Sequence, residues 1–202
     1  MIEIPTGLDP EVVPLSWLLG VWEGTGVLDY AIQTESRDEH VQHEFGQRIS
    51  FSHDGLPYLN YNSYTWLLDE KQTPLVAETG YWRLHRTLTA GDPGPAMLPG
   101  VGPRPFTDAE AVETLRNDAG AFDIEVSIVH PDGLSEVYLG QVAGPRIDLS
   151  TDAVMRTAGA KEYVAATRLY GLVDAHLLWA WDIAALGQDL RTHASGRLAK
   201  VD

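Results

Sequence analysis

The chain has 202 residues, 44% hydrophobic and 21% charged, which suits one globular domain over 1–202 with its own apolar core. Its formal net charge of −15 repels phosphate backbones and anionic membrane surfaces, so neither nucleic acid nor membrane is expected as a partner. The absence of cysteine excludes disulfides, zinc–thiolate and iron–sulfur sites and a cysteine nucleophile. Met1 to Pro5 lacks the basic and apolar stretches of a signal peptide, and no apolar run reaches about 18 residues, so a cytoplasmic protein is expected.

Taken in chain order, Asp9-Pro10 supplies a helix N-cap followed by proline at the first helical position. Val12, Val13, Leu15, Leu18 and Leu19 give that short helix an apolar side, and Gly20 is placed to stop it. Period two then takes over. Val41, His43, Phe45, Gln47, Ile49 and Phe51 share one strand face, and Tyr58, Asn60, Asn62, Tyr64 and Trp66 share a face of the next, with His53-Asp54-Gly55 as the turn between them. A third run covers Thr73 to Leu84. Ala90 to Thr107 is dense in proline and glycine and reads as a loop that could lie as a lid over one barrel end. Asp108 to Arg116 has helical spacing. Phe122, Ile124, Val126 and Ile128 alternate with Asp123, Glu125 and Ser127, and Pro131-Asp132-Gly133 is a further turn. Strands are predicted at about 134–142, 145–150, 162–171, 176–184 and 189–200, with Ser150 to Ala160 as a bridge containing a helical turn. The class is all-β: an antiparallel up-and-down barrel of about ten strands with a short N-terminal helix, because closure leaves no exposed edge.

Gly20-Val21-Trp22-Glu23-Gly24-Thr25-Gly26 is the most specific local feature. It lacks the spacing and following helix of a nucleotide-binding loop. Trp22 would close one end of the interior, while Gly20, Gly24 and Gly26 would let a strand bend or a ligand approach the backbone. This segment, with Leu15-Ser16-Trp17-Leu18-Leu19 before it, resembles the opening of the nitrobindins, haem-binding barrels similar in shape to fatty-acid-binding proteins. The resemblance continues through Glu78-Thr79-Gly80-Tyr81-Trp82-Arg83, Glu136-Val137-Tyr138-Leu139-Gly140 and Arg168-Leu169-Tyr170-Gly171. It ends on Gly187-Gln188-Asp189-Leu190-Arg191-Thr192-His193.

The resemblance implies a barrel holding one haem b, with His193 as the proximal iron ligand. It also implies nitric oxide binding and conversion of peroxynitrite to nitrate at the ferric iron. A neutral imidazole is a suitable axial ligand. Simple alternation, however, puts His193 on the parity of Arg191 and Ser195, away from Leu190, Ala194 and Leu198, so a bulge is needed to aim it inward. Lys161 stands where the family places a basic residue; it pairs with a propionate or is merely solvated. Relatives often carry histidine in the run that reads here Pro74-Leu75-Val76-Ala77-Glu78. Val76 cannot hydrogen-bond a bound ligand, and it favours neutral diatomics in an apolar distal pocket. The same substitution suits an alternative, a haem-free barrel carrying a fatty acid or other apolar ligand; a sensor without catalysis is a third reading. A homodimer is compatible with each. His40-Val41-Gln42-His43 is poorly spaced for a metal on a strand. Glu78, Arg83 and Glu136 are candidate interior polar partners.

Overall fold

The computed structural model describes residues 7–34, 37–185 and 189–201, and the side chains of all of these except 31–34 and 37–39. The N-terminal helix is a 3-10 helix, Pro10–Leu18, opened by the Asp9 carboxylate accepting from Glu11 N–H at 3.0 Å. Pro14 inside it has no N–H to give, which interrupts an α-helical ladder and suits short i to i−3 bonds. Gly20 does not stop this helix. Leu19 is its C-cap, and Gly20, at φ +117°, opens the first strand with a backbone conformation that other residues rarely adopt.

Ten strands follow: β1 Gly20–Thr34, β2 Arg37–Ser52, β3 Leu59–Leu67, β4 Pro74–Leu84, β5 Phe122–Val129, β6 Leu134–Ala143, β7 Arg146–Arg156, β8 Tyr163–Val173, β9 His176–Ala185 and β10 Arg191–Lys200. Each pairs antiparallel with its sequence neighbours, and β1 pairs with β10 to close the barrel. The expected up-and-down barrel with a short N-terminal helix is borne out. One short α-helix, α1 Ala109–Glu113, interrupts the strands and is capped by Asp108. No helix among the described residues is long and apolar enough to cross a membrane.

One expectation needs correcting and a second gains detail. Residues 150–156 hold no helical turn; they extend β7. Asp152 is an extra residue opposite Val137 and Tyr138, and this bulge breaks the alternation that would have marked a strand. The Pro/Gly segment does lie over one barrel end, and that end is the one away from the cavity described below. Arg86, buried beside it, bonds Glu11 at 2.6 Å and Asp92 at 2.7 Å, and Arg104 bonds Asp9. The segment is therefore tied to the 3-10 helix, at the end where β1 starts and β10 finishes.

That end is filled. Phe51, Tyr61, Trp82 and Tyr170 pack in tilted and edge-to-face pairs with ring centroids 5.2–5.8 Å apart, in one core with Leu15, Leu18 and Trp22 from the helix and β1. The Trp22 indole N–H donates to Leu18 O at 2.7 Å, so this ring does close one end as expected. Tyr64 and Trp66 of β3 face outward, as does Tyr58 just before the strand; the inward face carries Leu59, Tyr61, Ser63 and Thr65.

Gly24 sits on the closing seam opposite Leu198, where an added Cβ would lie 2.2 Å from the Arg197 carbonyl oxygen. Since that obstacle is backbone, Gly24→Ala is expected to lose about 1–3 kcal/mol, read as a lowered urea midpoint with an unchanged slope.

Candidate functional site

The opposite half of the barrel is hollow. A cavity of about 380 Å³ opens where β1 passes to β2 and β9 passes to β10. Its outer wall is apolar on one side, from Leu28, Ile183, Ala185, Leu75 and Val76. Deeper in, Phe45, Ile49 and Trp179 line it, and Gln47, Ser63 and Tyr61 supply scattered polar atoms. A few polar groups in a mostly apolar concavity is the usual make-up of a small-molecule site.

His193 faces this cavity because β10 is bulged. Pairing with β9 runs Thr192 to Asp182 and then Ala194 to Trp181, leaving His193 as the extra residue. The bulge turns His193 and its neighbour Ala194 into the same wall. Its ring is half-buried and lies edge-on to Trp181, centroids 5.7 Å apart at 89°. Burial lowers its pKa, as does the Arg191 charge, against an opposing pull from Asp29. The neutral imidazole, which is the metal-binding form, is thereby favoured. Lys161 is exposed at the rim, between β7 and β8, with Glu162 and Asp132 beside it. Val76 lines the wall contributed by β4. His193, Lys161 and Val76 thus converge on one opening.

The glycine motif does not. None of Gly20, Trp22, Gly24 and Gly26 lines the cavity. Gly24 makes room for the backbone of β10 and Gly26 for the Phe45 ring, 2.3 Å from an added Cβ. Their closeness serves strand contact and not ligand approach. Gly187 and Gln188 lie outside the described residues.

At the inner wall is a buried ionic cluster. Arg168 donates to both Glu78 carboxylate oxygens at 2.8 and 3.0 Å and through Nε to the Tyr138 hydroxyl at 3.0 Å. Tyr61 donates to Glu78 at 2.7 Å. Glu136 accepts from Tyr138 and Tyr163 and is 2.8 Å from His130 Nε2. Glu78 and Glu136 are interior, as expected. Arg83 is not: β4 parity turns it outward, where it pairs with Glu125 at 3.0 Å. Arg168 is the interior cation, 5% exposed. His40 and His43 bind separately, to Asp29 and to the Tyr30 hydroxyl, and do not form a metal site.

Burial by itself would raise the Glu78 carboxyl, but the Arg168 charge and its hydrogen bonds outweigh that and hold it at about 2. Glu78 ionises below its ordinary 4.5, so its stabilising contribution is complete above that value and is lost as pH falls toward about 2. Glu136 is lowered in the same sense. We expect stability, followed by urea denaturation, to fall steeply through this acid window, and Glu78→Gln to flatten the fall.

Residues 11–200 match the family described as THAP4-like, heme-binding beta-barrel domain. The chain belongs to this family. Among its relatives, the peroxynitrite isomerase of Leifsonia xyli subsp. xyli (strain CTCB07) is 72% identical over 202 residues, covering 100% of each chain. Those of Clavibacter michiganensis subsp. michiganensis (strain NCPPB 382) and Paenarthrobacter aurescens (strain TC1) are 69% and 55% identical; the first covers 100% of each chain, the second 99% of this chain and 98% of its own. The crystal structure of Rv2717c from M. tuberculosis shares the fold, with TM-score 0.66 and 24% identity over 96% of this chain and 99% of that one. A haem-binding barrel, expected from the nitrobindin resemblance, is therefore the family to which this fold and cavity belong.

Proposed function

We propose that the cavity holds one haem b ligated by His193, and that the protein binds nitric oxide and isomerises peroxynitrite to nitrate. The observation that carries this is the β10 bulge, which places an imidazole in the wall of a large, mostly apolar cavity inside a barrel of the haem-binding family. The residues present suit the group. A nitrogen ligand, apolar flanks from Leu28, Ile183 and Val76, and a rim lysine for a propionate together match a flat apolar macrocycle with an anionic edge. The relatives named peroxynitrite isomerase, at up to 72% identity, support the reaction.

When bound, ferric haem would supply the Lewis-acidic, redox-active iron that the conversion of peroxynitrite to nitrate needs. The chain's own part is positional and electrostatic. His193 would hold the iron through its neutral imidazole. Val76 offers no hydrogen bond, so it leaves water poorly held and favours a small neutral ligand. Lys161 anchors the outer edge. The cysteine-free chain suits the reducing cytoplasm.

The test is titration of the purified protein with haemin, followed by stopped-flow decay of peroxynitrite with nitrate measured as product. The expected result is a saturable Soret band at one haem per chain and a decay rate that rises in proportion to haem-loaded protein. A protein that yields no saturable band but releases a fatty acid on extraction would make it a carrier. A band with an unaltered decay rate would leave a nitric oxide binder without catalysis.

A further inference from the structure

Imidazoles that bind metals are ordinarily oriented by a hydrogen bond from the second ring nitrogen to a carboxylate, carbonyl or water, and loss of such a partner costs about 10–100-fold in affinity. His193 has no hydrogen bond to any described residue. Its ring meets the Trp181 indole edge-on, with centroids 5.7 Å apart. Trp181 is the β9 partner of Ala194, the residue directly after the bulge, so its position is fixed by the same hydrogen-bonded ladder that aims His193.

The other aromatic and cationic neighbours of the indole belong to the ionic cluster. Trp181 pairs across β8 with Arg168, whose guanidinium carbon stands 4.2 Å from the ring centroid. His130 lies nearly parallel to it, with centroids 6.3 Å apart at 20°, and Tyr163 packs at 6.4 Å. Both His130 and Tyr163 bond Glu136. The indole is held by groups that are themselves fixed by charged hydrogen bonds, and it presents its remaining side to His193. Its own N–H is buried with no acceptor among the described residues. Hydrogen bonding of the indole therefore does not explain why it sits there; packing between the cluster and His193 does.

We propose that Trp181 is a positioning residue for His193, setting the plane of the imidazole across the cavity and tying that plane to the Glu78–Arg168–Glu136–His130 cluster. The inference rests on His193 being the haem ligand, and its test includes the haem-free protein so that the two can fail separately. An aromatic brace fixes ring orientation through shape and quadrupole contact where no described residue supplies a hydrogen bond. It does so without drawing on the second imidazole nitrogen.

The experiment compares Trp181→Leu and Trp181→Phe with the wild type. In the haem-free protein, NMR of labelled histidine should show the ring-proton signals of His193 displaced by the indole ring current; that displacement should vanish in Trp181→Leu and shrink in Trp181→Phe. In the haem-loaded protein, haem transfer to an excess of apomyoglobin should accelerate about tenfold in Trp181→Leu, with an altered spread of the ferric EPR g-values. Unmoved His193 signals, or a transfer rate within about twofold of wild type, would overturn the proposal. If Trp181→Leu does not fold, as judged by its far-UV circular dichroism, Trp181→Phe is held to the same two criteria with an expected acceleration of about threefold. Failure of the haem reading looks different: His193→Ala would then keep wild-type haem affinity, while the haem-free signals would still report whether Trp181 orients the ring.

Discussion

Replacing His193 by alanine is expected to weaken haem binding by more than about 100-fold, beyond the 10–100-fold typical for losing a partner that merely orients a ligand. The Soret band should shift and lose intensity at equal haemin, and peroxynitrite decay should return to the rate without protein. The fold should survive. His193 is the unpaired residue of a bulge, half-buried, with no hydrogen bond to a described residue, so its truncation touches no part of the filled end. Thermal unfolding of the haem-free variant should lie within about 1 kcal/mol of wild type. Added imidazole should restore part of the band, because the vacated wall is open to the cavity. A variant that binds haem as tightly as wild type would remove His193 from the iron.

Arg168→Met is expected to cost about 3–5 kcal/mol in stability, the usual penalty for breaking a buried ion pair by removing one member. Arg168 is the fixed cation between two buried carboxylates, 2.8 Å from Glu78 and 3.6 Å from Glu136. Methionine fills much of the volume but leaves both carboxylates without their main counter-charge. Glu78 would then be governed by burial, which raises a carboxyl, and the variant should be relatively more stable at mild acid than at neutral pH. That reverses the wild-type trend. Arg168→Met combined with Glu78→Gln should recover part of the loss, since it neutralises one of the two stranded carboxylates, while Glu136 keeps its bonds to His130, Tyr138 and Tyr163. Urea denaturation of the four proteins of this cycle gives the coupling energy directly. A loss below about 1 kcal/mol for Arg168→Met would mean that the cluster is worth no more than an exposed pair.

The barrel was legible because most strands keep strict alternation, as in Phe122 to Ile128, where every second residue is buried. Alternation failed where a bulge inserts a residue. It hid the outer half of β7 at Asp152, and it assigned His193 to the outside. No propensity marks either bulge, since each is settled by the partner strand. Arg168 was missed for a different reason. Its partners Glu78 and Tyr138 are 90 and 30 residues away, and a charged residue near glycine and leucine reads as surface. Its parity with buried Ala166 and Tyr170, against exposed Leu169, was the available signal. The Pro/Gly loop was recognisable as irregular, but which end it covers depends on Arg86 meeting Glu11 across 75 residues.

The seam between β1 and β10, where Trp22 meets Lys200 and Leu28 meets Ala194, also sets an order of assembly. Contacts of such long sequence separation form late, after the local hairpins have paired. β10 carries the imidazole proposed as the iron ligand, so on that reading the cavity wall is complete only once this strand has docked against β1 and β9. Porphyrin acquisition would then follow ring closure.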